Sequence, residues 1–166
     1  PITPRGHETP MLAAAEDTEM VAARLQAAGL APRFVGTEIG RASTIKMLRS
    51  VMVKGMEALT VECFRAAARA GVAEEVANSL DASEGGLGWA EQTAYNMERM
   101  TAHGTRRAAE MREVAKTLRG LDVAPAMTTG TISWEEEMGA LDLSLDSGTP
   151  LAEQLTLIER ALEKGE

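Results

Sequence analysis

The chain has few aromatic residues and a single cysteine. Only 3% of its 166 residues are aromatic, and Cys63 has no second cysteine with which to form a disulfide. The core must therefore be filled by Ala, Leu, Val and ten Met, which favours close-packed helices over a sheet sandwich. Two histidines and one cysteine provide no plausible metal set. A reducing, cytoplasmic location fits this composition.

The chain also lacks an excess of basic residues and any long apolar run. Its net charge of −8 and its pI near 4.9 argue against nucleic acid as a partner, because phosphate binding needs a basic surface. No run is long enough to span a membrane, so we expect no membrane partner. The Gly-rich loop G-x-G-x-x-G, which holds dinucleotide phosphates, is absent from the sequence.

Residues 1–37 are predicted to be the C-terminal remnant of an α/β nucleotide-binding domain. Met11–Ala15 and Arg33–Val35 are short apolar runs typical of strands, and Asp17 or Thr18 caps a helix between them. Two short strands need more sheet beside them to bury their faces. We therefore expect an N-terminal Rossmann domain to complete this sheet.

Residues 38–166 are predicted to form an all-α domain for substrate binding and dimerisation. Gly40–Ala70 contains no proline and stops at a glycine, which predicts one helix about 45 Å long. Two apolar stripes on this helix predict burial on both sides. The first consists of Ile45, Leu48, Met52, Met56, Leu59 and Cys63, and the second begins with Met47, Val51, Ala58 and Val61.

The rest of the domain is predicted as further helices. Trp89–Leu118 is a second long helix that follows a loop at Asp81–Gly88, and two more helices begin near Pro125 and Pro150. Trp89 and Trp134 are expected to anchor the packing. The run Glu135–Glu137 is expected to be solvated.

One polar strip on the first long helix is a candidate catalytic group. Lys46, Arg49 and Ser50 are three and four residues apart, and therefore share a face. Because apolar residues flank them, we expect Lys46 to enter a partly closed space and to exchange a proton near neutral pH. A solvated polar strip is the alternative.

A second strip is a candidate anion clamp. Arg99, His103, Arg106 and Glu110 lie roughly on one face of the second long helix, with Arg107 beside them. Arginine offers a bidentate fork to a carboxylate or a phosphate. The alternative is an exposed strip that contains an Arg106–Glu110 pair.

The segment Gly40–Ser50, GRASTIKMLRS, resembles the linker-helix motif of the β-hydroxyacid dehydrogenases, a family that includes 3-hydroxyisobutyrate and 6-phosphogluconate dehydrogenases. The segments Ser43–Met47 and His103–Met111 resemble a branch with a helical C-terminal domain behind a Rossmann domain. The resemblance implies a mainly α fold, a helical bundle of the 6-phosphogluconate dehydrogenase C-terminal type around a long central helix, preceded by a short βαβ remnant.

The resemblance also implies a function, namely hydride transfer between NAD or NADP and a small hydroxy acid or a related carbonyl compound. Lys46 would be the general acid/base. The implied substrate contacts are Ser50, where the family usually has asparagine, His103, Arg106 and Thr3, which stands where the family has Ser-Gly-Gly. Arg107 would contact the cofactor, which the Rossmann domain would mainly bind, so this chain alone is expected to be inactive.

Two rival readings use the same residues. A helical dimerisation module with no catalytic site would also contain long Ala- and Met-rich helices, and in either case we expect a homodimer. An imine reductase-like enzyme would share the architecture, but the lysine position varies there, and the presence of Lys46 argues against it.

Overall fold

The computed structural model describes residues 6, 9–84, 88–146 and 148–165. Backbone contacts divide the chain into two compact units, Pro1–Arg49 and Ser50–Glu166. The domain boundary placed between residues 37 and 38 stays a prediction. The described residues form helices and one short two-stranded parallel sheet, as the mainly α fold class predicted.

The first unit contains the predicted strand–helix–strand order. Strand β1 is Leu12–Ala13, helix α1 is Thr18–Ala27 and strand β2 is Arg33–Phe34. The two strands pair in parallel. Asp17 caps α1, since its Oδ1 accepts a hydrogen bond of 2.9 Å from the backbone N–H of Met20.

Helix α2 spans Arg41–Ala70 and confirms the first long helix. It lies between Gly40 and Gly71, both of which have positive φ angles, +95° and +73°. At its C-terminal end the backbone N–H of Val72 donates to the carbonyl of Ala67 at 2.9 Å. Glycine accepts this left-handed conformation without strain, so it ends the helix where the sequence predicted.

Four further helices follow in the second unit. They are α3 (Ala73–Glu84), α4 (Trp89–Gly120), α5 (Ala126–Gly139) and α6 (Leu151–Gly165). Helix α4 packs against α3, α5 and α6. The order of helices agrees with the sequence prediction.

The loop predicted at Asp81–Gly88 is wrong in its first half, because α3 continues through Glu84. The Asp81 carboxylate accepts hydrogen bonds from the backbone N–H groups of Gly88 at 2.9 Å and Trp89 at 3.1 Å. Asp81 therefore lies in the last turn of α3 and stabilises the start of α4.

The core of the second unit is rich in methionine, as the composition predicted. Trp89 and Trp134 pack against it, which confirms them as packing residues. Its largest fully buried apolar side chains are Phe64, Met97, Met100, Met111, Met138 and Ile158.

The prediction that α2 is buried on both sides is wrong. The whole first stripe is exposed, including Met52 at 66% and Cys63, which was expected in the core. The opposite face, with Lys54, Glu57 and Thr60, is buried instead. Periodicity showed two candidate faces, but it did not show which one has partners on α4.

Helices α4 and α5 approach closely at a pair of glycines. A Cβ on Gly104 would lie 2.8 Å from the Cα of Gly139, and a Cβ on Gly139 would lie 2.9 Å from the Cα of Gly104. Any larger residue at either position would push the helices apart. Gly104 therefore does not interrupt α4; it allows α5 to pack against it.

Candidate functional site

Lys46 lines a cavity of about 1120 Å³ that lies within the first unit. The cavity is formed by the chain around β1 and β2 and by the first turns of α2. Lys46 itself is exposed, so the predicted partial burial of this side chain is not found. The apolar neighbours that motivated the prediction, Ile45 and Leu48, are exposed as well.

The cavity lining is positively charged. Arg33, on β2, and Arg49, one turn after Lys46, both line it, and the described lining contains no acidic residue. Ser43 and Thr9 add hydroxyl groups to the same lining. In a chain with a net charge of −8, this local group of cations favours an anionic ligand.

The arrangement combines charge with a group that can transfer a proton. Arginine binds carboxylates through two parallel N–H donors, and a neighbouring lysine can accept or donate a proton at the substrate. Cations of these two kinds line the cavity around Lys46.

Ser50 and Thr3 were two other predicted substrate contacts. Ser50 lies one turn after Lys46 on α2 and is half-buried. Thr3 lies outside the described residues. Both assignments stay predictions.

The basic strip on α4 is split between two environments. Arg106 is exposed and pairs with Glu110 one turn later, and Glu110 also accepts a hydrogen bond of 2.9 Å from Lys54. His103 is half-buried. The Arg106–Glu110 pair was the alternative reading of this strip, and the structure confirms it. The role of His103 and Arg106 in binding a substrate stays a prediction.

Arg107 points into the protein, and only 3% of it is exposed. Its Nη2 donates to Glu57 on α2, and its Nε lies 3.4 Å from Oε1 of Glu135 on α5. Arg107 thus links three helices through two buried carboxylates. Its assignment to the cofactor stays a prediction, and its guanidinium is already largely occupied by these two acids.

Glu135, in the second unit, is a buried carboxyl with a raised pKa. It is completely buried, whereas the sequence predicted a solvated run at Glu135–Glu137. Of the three glutamates in this run, Glu136 and Glu137 are exposed. Burial raises the pKa of the Glu135 carboxyl to about 7, while the charge of Arg107 acts in the opposite direction. Burial also lowers the pKa of Arg107.

The N-terminus of α1 does not form a site for the pyrophosphate of a dinucleotide. In a βαβ unit, that group binds at the N-terminus of the helix after the first strand. Here the N-terminus of α1 is capped by the Asp17 carboxylate, and Glu19 lies in its first turn. These negative charges oppose an anion at this position.

Among the described residues, no group of three or more His, Cys, Asp or Glu side chains is placed to hold a metal ion. No helix in the described part of the chain is long and apolar enough to cross a membrane. The cytoplasmic location stays a prediction.

Comparison with known sequences gives one family model and one relative. A model of a domain of unknown function, DUF1932, matches residues 67–138. An uncharacterized 28.5 kDa protein from Methanothermus fervidus is 29% identical over 103 residues, which cover 62% of this chain and 41% of the relative. The chain therefore spans less than half the length of that relative.

Two solved structures are similar in fold. A conserved hypothetical protein from Sinorhizobium meliloti 1021 superposes with a TM-score of 0.84 at 32% identity, over 97% of this chain and 55% of the other. The conserved protein MTH1747 superposes with a TM-score of 0.73 at 32% identity, over 84% of this chain and 53% of the other. Its structure is described as similar to 3-hydroxyacid dehydrogenases.

Sequence reasoning missed two residues of the Lys46 cavity. Arg49 was noted as a neighbour of Lys46 but was not assigned to a site, and Arg33 was considered only as part of a strand.

Proposed function

We propose that this chain, which resembles the C-terminal helical domain of 3-hydroxyacid dehydrogenase-like proteins, supplies the acid/base residue of an NAD(P)-dependent oxidoreductase acting on a small hydroxy acid or a related carbonyl compound. The observation that carries the proposal is the position of Lys46 in a cavity whose described charged residues are all cations. In the proposed reaction Lys46 is the general acid/base.

In the proposed reaction a proton moves between the substrate hydroxyl and Nζ of Lys46. When a substrate hydroxyl is oxidised, the neutral Nζ of Lys46 accepts the hydroxyl proton as the carbonyl forms. In the reverse direction the Lys46 ammonium returns this proton to the oxygen. The step requires Nζ within hydrogen-bond reach of the substrate oxygen, and its contribution is typically a factor of about 10² to 10⁴ in rate.

The charge around Lys46 defines the substrate class. Arg33 and Arg49 would hold the carboxylate of the substrate, so that its hydroxyl lies next to Nζ. The use of NAD or NADP rests on the similarity to dehydrogenases alone. Because α1 offers no pyrophosphate site, the proposal assigns the dinucleotide to residues other than those described.

The test is to replace Lys46 by alanine in the full-length gene product and to measure turnover of 3-hydroxy acids with NAD and with NADP. We expect kcat to fall by about a hundredfold or more, the usual scale for losing a general acid/base. The melting temperature should not change, because Lys46 is exposed. The matched control is Lys116→Ala, which removes an exposed lysine of α4 that pairs only with Glu113 among the described residues.

A Lys46→Ala enzyme that keeps turnover within a few-fold of the original contradicts the acid/base role. Equal losses in Lys46→Ala and Lys116→Ala would indicate a general effect of removing positive charge. If the original protein turns over no hydroxy acid with either dinucleotide, the rival reading of a non-catalytic dimerisation module gains support.

Association of two copies is a second proposal, favoured by the exposed stripe of α2. Met52, Met56 and Leu59 are 66%, 42% and 53% exposed, and they lie along one face of the helix within the second unit. Contiguous exposed apolar side chains usually mark an interface. Sedimentation at micromolar concentration should show a dimer for the original chain and a monomer for Met52→Glu/Leu59→Glu. A monomer in both cases removes the proposal.

A further inference from the structure

A second cavity, of about 510 Å³, lies between α2 and α4 in the second unit. Its volume falls in the range of about 300 to 1,000 Å³ that is typical of small-molecule sites. Part of its wall is apolar, formed by Val53 and Met56 of α2 and by Trp89 and Tyr95 of α4. Tyr95 is 47% exposed and lies at a face open to solvent.

The polar part of the lining is fixed by a chain of hydrogen bonds between the two helices. Gln92 Nε2 donates to Asn96 Oδ1 at 2.9 Å, and Asn96 Nδ2 donates to Thr60 Oγ1 at 2.9 Å. Thr60 Oγ1 then donates to the backbone carbonyl of Glu57 at 2.8 Å. Asn96 and Thr60 are each 4% exposed, so this chain is held rigidly.

Two hydrogen-bond donors of the lining residues have no acceptor among the described residues. Trp89 Nε1 and Arg107 Nη1 are buried, and within the described part of the chain neither has a hydrogen-bond acceptor. Buried polar groups in native proteins nearly always have a partner, so two such donors in one cavity lining need an explanation. A ligand that carries acceptor atoms would provide one.

The cavity also carries an unbalanced positive charge. Its charged lining residues are Glu57, Arg99 and Arg107, and the Glu57–Arg107 pair compensates itself. Arg99 is half-buried, and none of the ion pairs or hydrogen bonds found among the described residues involves it. The positive charge of Arg99 acts to lower the pKa of the buried Glu135. A net charge of plus one remains for a ligand.

We propose that the α2–α4 cavity binds a small organic monocarboxylate with an apolar or aromatic body. The carboxylate pairs with the Arg99 guanidinium, which can present two parallel donors. The body lies against Met56 and Tyr95, where an aromatic ring gains both burial and stacking. This site lies wholly within residues 50–166 and does not rest on the proposed role of Lys46.

Benzoate is a suitable probe, because it has one carboxylate and one ring, and benzamide is its neutral counterpart. The chain has two tryptophans, so Trp134→Phe leaves Trp89, in the cavity wall, as the only indole reporter. We expect benzoate to change the Trp89 fluorescence saturably, with an affinity at least tenfold higher than that of benzamide. Equal affinities, or no saturable change with benzoate, would overturn the proposal.

Two variants then locate the carboxylate. Arg99→Gln, in the Trp134→Phe background, should weaken benzoate binding at least tenfold and leave benzamide binding unchanged. Arg112→Gln is the matched control, since Arg112 lies on the same helix but is exposed and outside the cavity lining. Equal weakening by the two variants would show a general charge effect and would overturn the proposal.

Two further variants keep the test decisive. If Arg99→Gln does not fold, Tyr95→Ala serves instead, because Tyr95 is largely exposed and its removal should weaken benzoate and benzamide alike. Undiminished binding by Tyr95→Ala would contradict the site. Lys46→Ala should bind benzoate as the original does, even where it abolishes turnover, so failure of the catalytic proposal and failure of this one give different results.

Discussion

Two groups of positive charge in this chain are arranged in opposite ways. In the first unit, Arg33, Lys46 and Arg49 are exposed, and the described lining of their cavity contains no acidic residue. In the second unit, Arg107 is almost completely buried and lies between Glu57 and Glu135. The first group lines a cavity whose described charged residues are all cations. The charge of Arg107 is already compensated inside the protein.

The difference follows from the cost of desolvation. An exposed cation keeps its water and needs no partner, so its position can be selected for binding alone. A buried cation loses its water and is tolerated only with opposite charges close by. The comparison therefore predicts that substitutions in the first group change binding or turnover, whereas substitution of Arg107 changes stability.

The largest effect on stability is expected for Arg107→Met. The substitution leaves Glu57 and Glu135 buried without their partner, and breaking a buried ion pair in this way costs about 3 to 5 kcal/mol. Urea unfolding followed by circular dichroism measures it. The matched control, Arg112→Met, removes an exposed arginine that pairs with an exposed Glu136, and should cost less than about 1 kcal/mol. Equal costs would show that burial does not distinguish the two arginines.

Glu135→Gln should change how stability depends on pH. The folded-state pKa of Glu135, about 7, is above the ordinary glutamate value of 4.5, so the folded state binds the extra proton between these values. The stability that Glu135 contributes is therefore present below pH 4.5, falls as pH rises from 4.5 to 7 and is lost above 7. The glutamine variant lacks this loss, and between pH 4.5 and pH 8 it should gain about 3 kcal/mol relative to wild type.

Unfolding free energies at the two pH values test this prediction directly. Glu136→Gln is the matched control, because Glu136 is the next residue and is exposed. It should follow the wild-type pH dependence. A Glu135→Gln curve that is parallel to the wild-type curve would show that Glu135 titrates like a solvated carboxyl.

A smaller effect, on binding, is expected in the first group. Arg33→Ala and Arg49→Ala in the full-length gene product should each raise the KM for a hydroxy acid about tenfold, the scale of one lost charged hydrogen bond. The melting temperature should stay nearly constant, since both side chains are exposed. Arg24→Ala, on α1 and outside the cavity lining, should leave KM unchanged. An unchanged KM in all three variants would contradict the proposal that Arg33 and Arg49 bind the substrate.

The smallest effect is expected for Arg106→Ala. Arg106 is adjacent in sequence to Arg107, but its pair with Glu110 is exposed and lies within one helix. Such pairs contribute about 0.3 to 0.5 kcal/mol. The loss should disappear in about 1 M salt, where exposed charges are screened. A loss of several kcal/mol would mean that the two neighbouring arginines have the same structural role.

Much of the helical architecture could be predicted from local signals. Gly40 and Gly71 bound the first long helix, and Asp17 caps α1, because these residues act on the backbone next to them. The strands at Leu12 and Arg33 were predicted from short apolar runs between turn residues. Each of these signals acts within a few positions of the sequence.

The buried charges could not be predicted in the same way. Lys54 and Glu57 are buried because Glu110 and Arg107 on another helix pair with them, and these contacts are more than forty positions apart in sequence. A local pattern gives the faces of a helix but not the partners of each face. For the same reason Glu135, in a run of three acids, was predicted to be solvated.

The contact between Gly104 and Gly139 has a chemical consequence as well as a steric one. An added Cβ on Gly104 would also collide with the backbone carbonyl of Glu135, so the missing side chain lets α5 bring that carboxyl to a depth that water does not reach. Gly104→Val would separate the helices, hydrate Glu135 and return its acidity toward that of an ordinary glutamic acid. A residue with nothing to ionise thus controls the proton affinity of a neighbour on another helix.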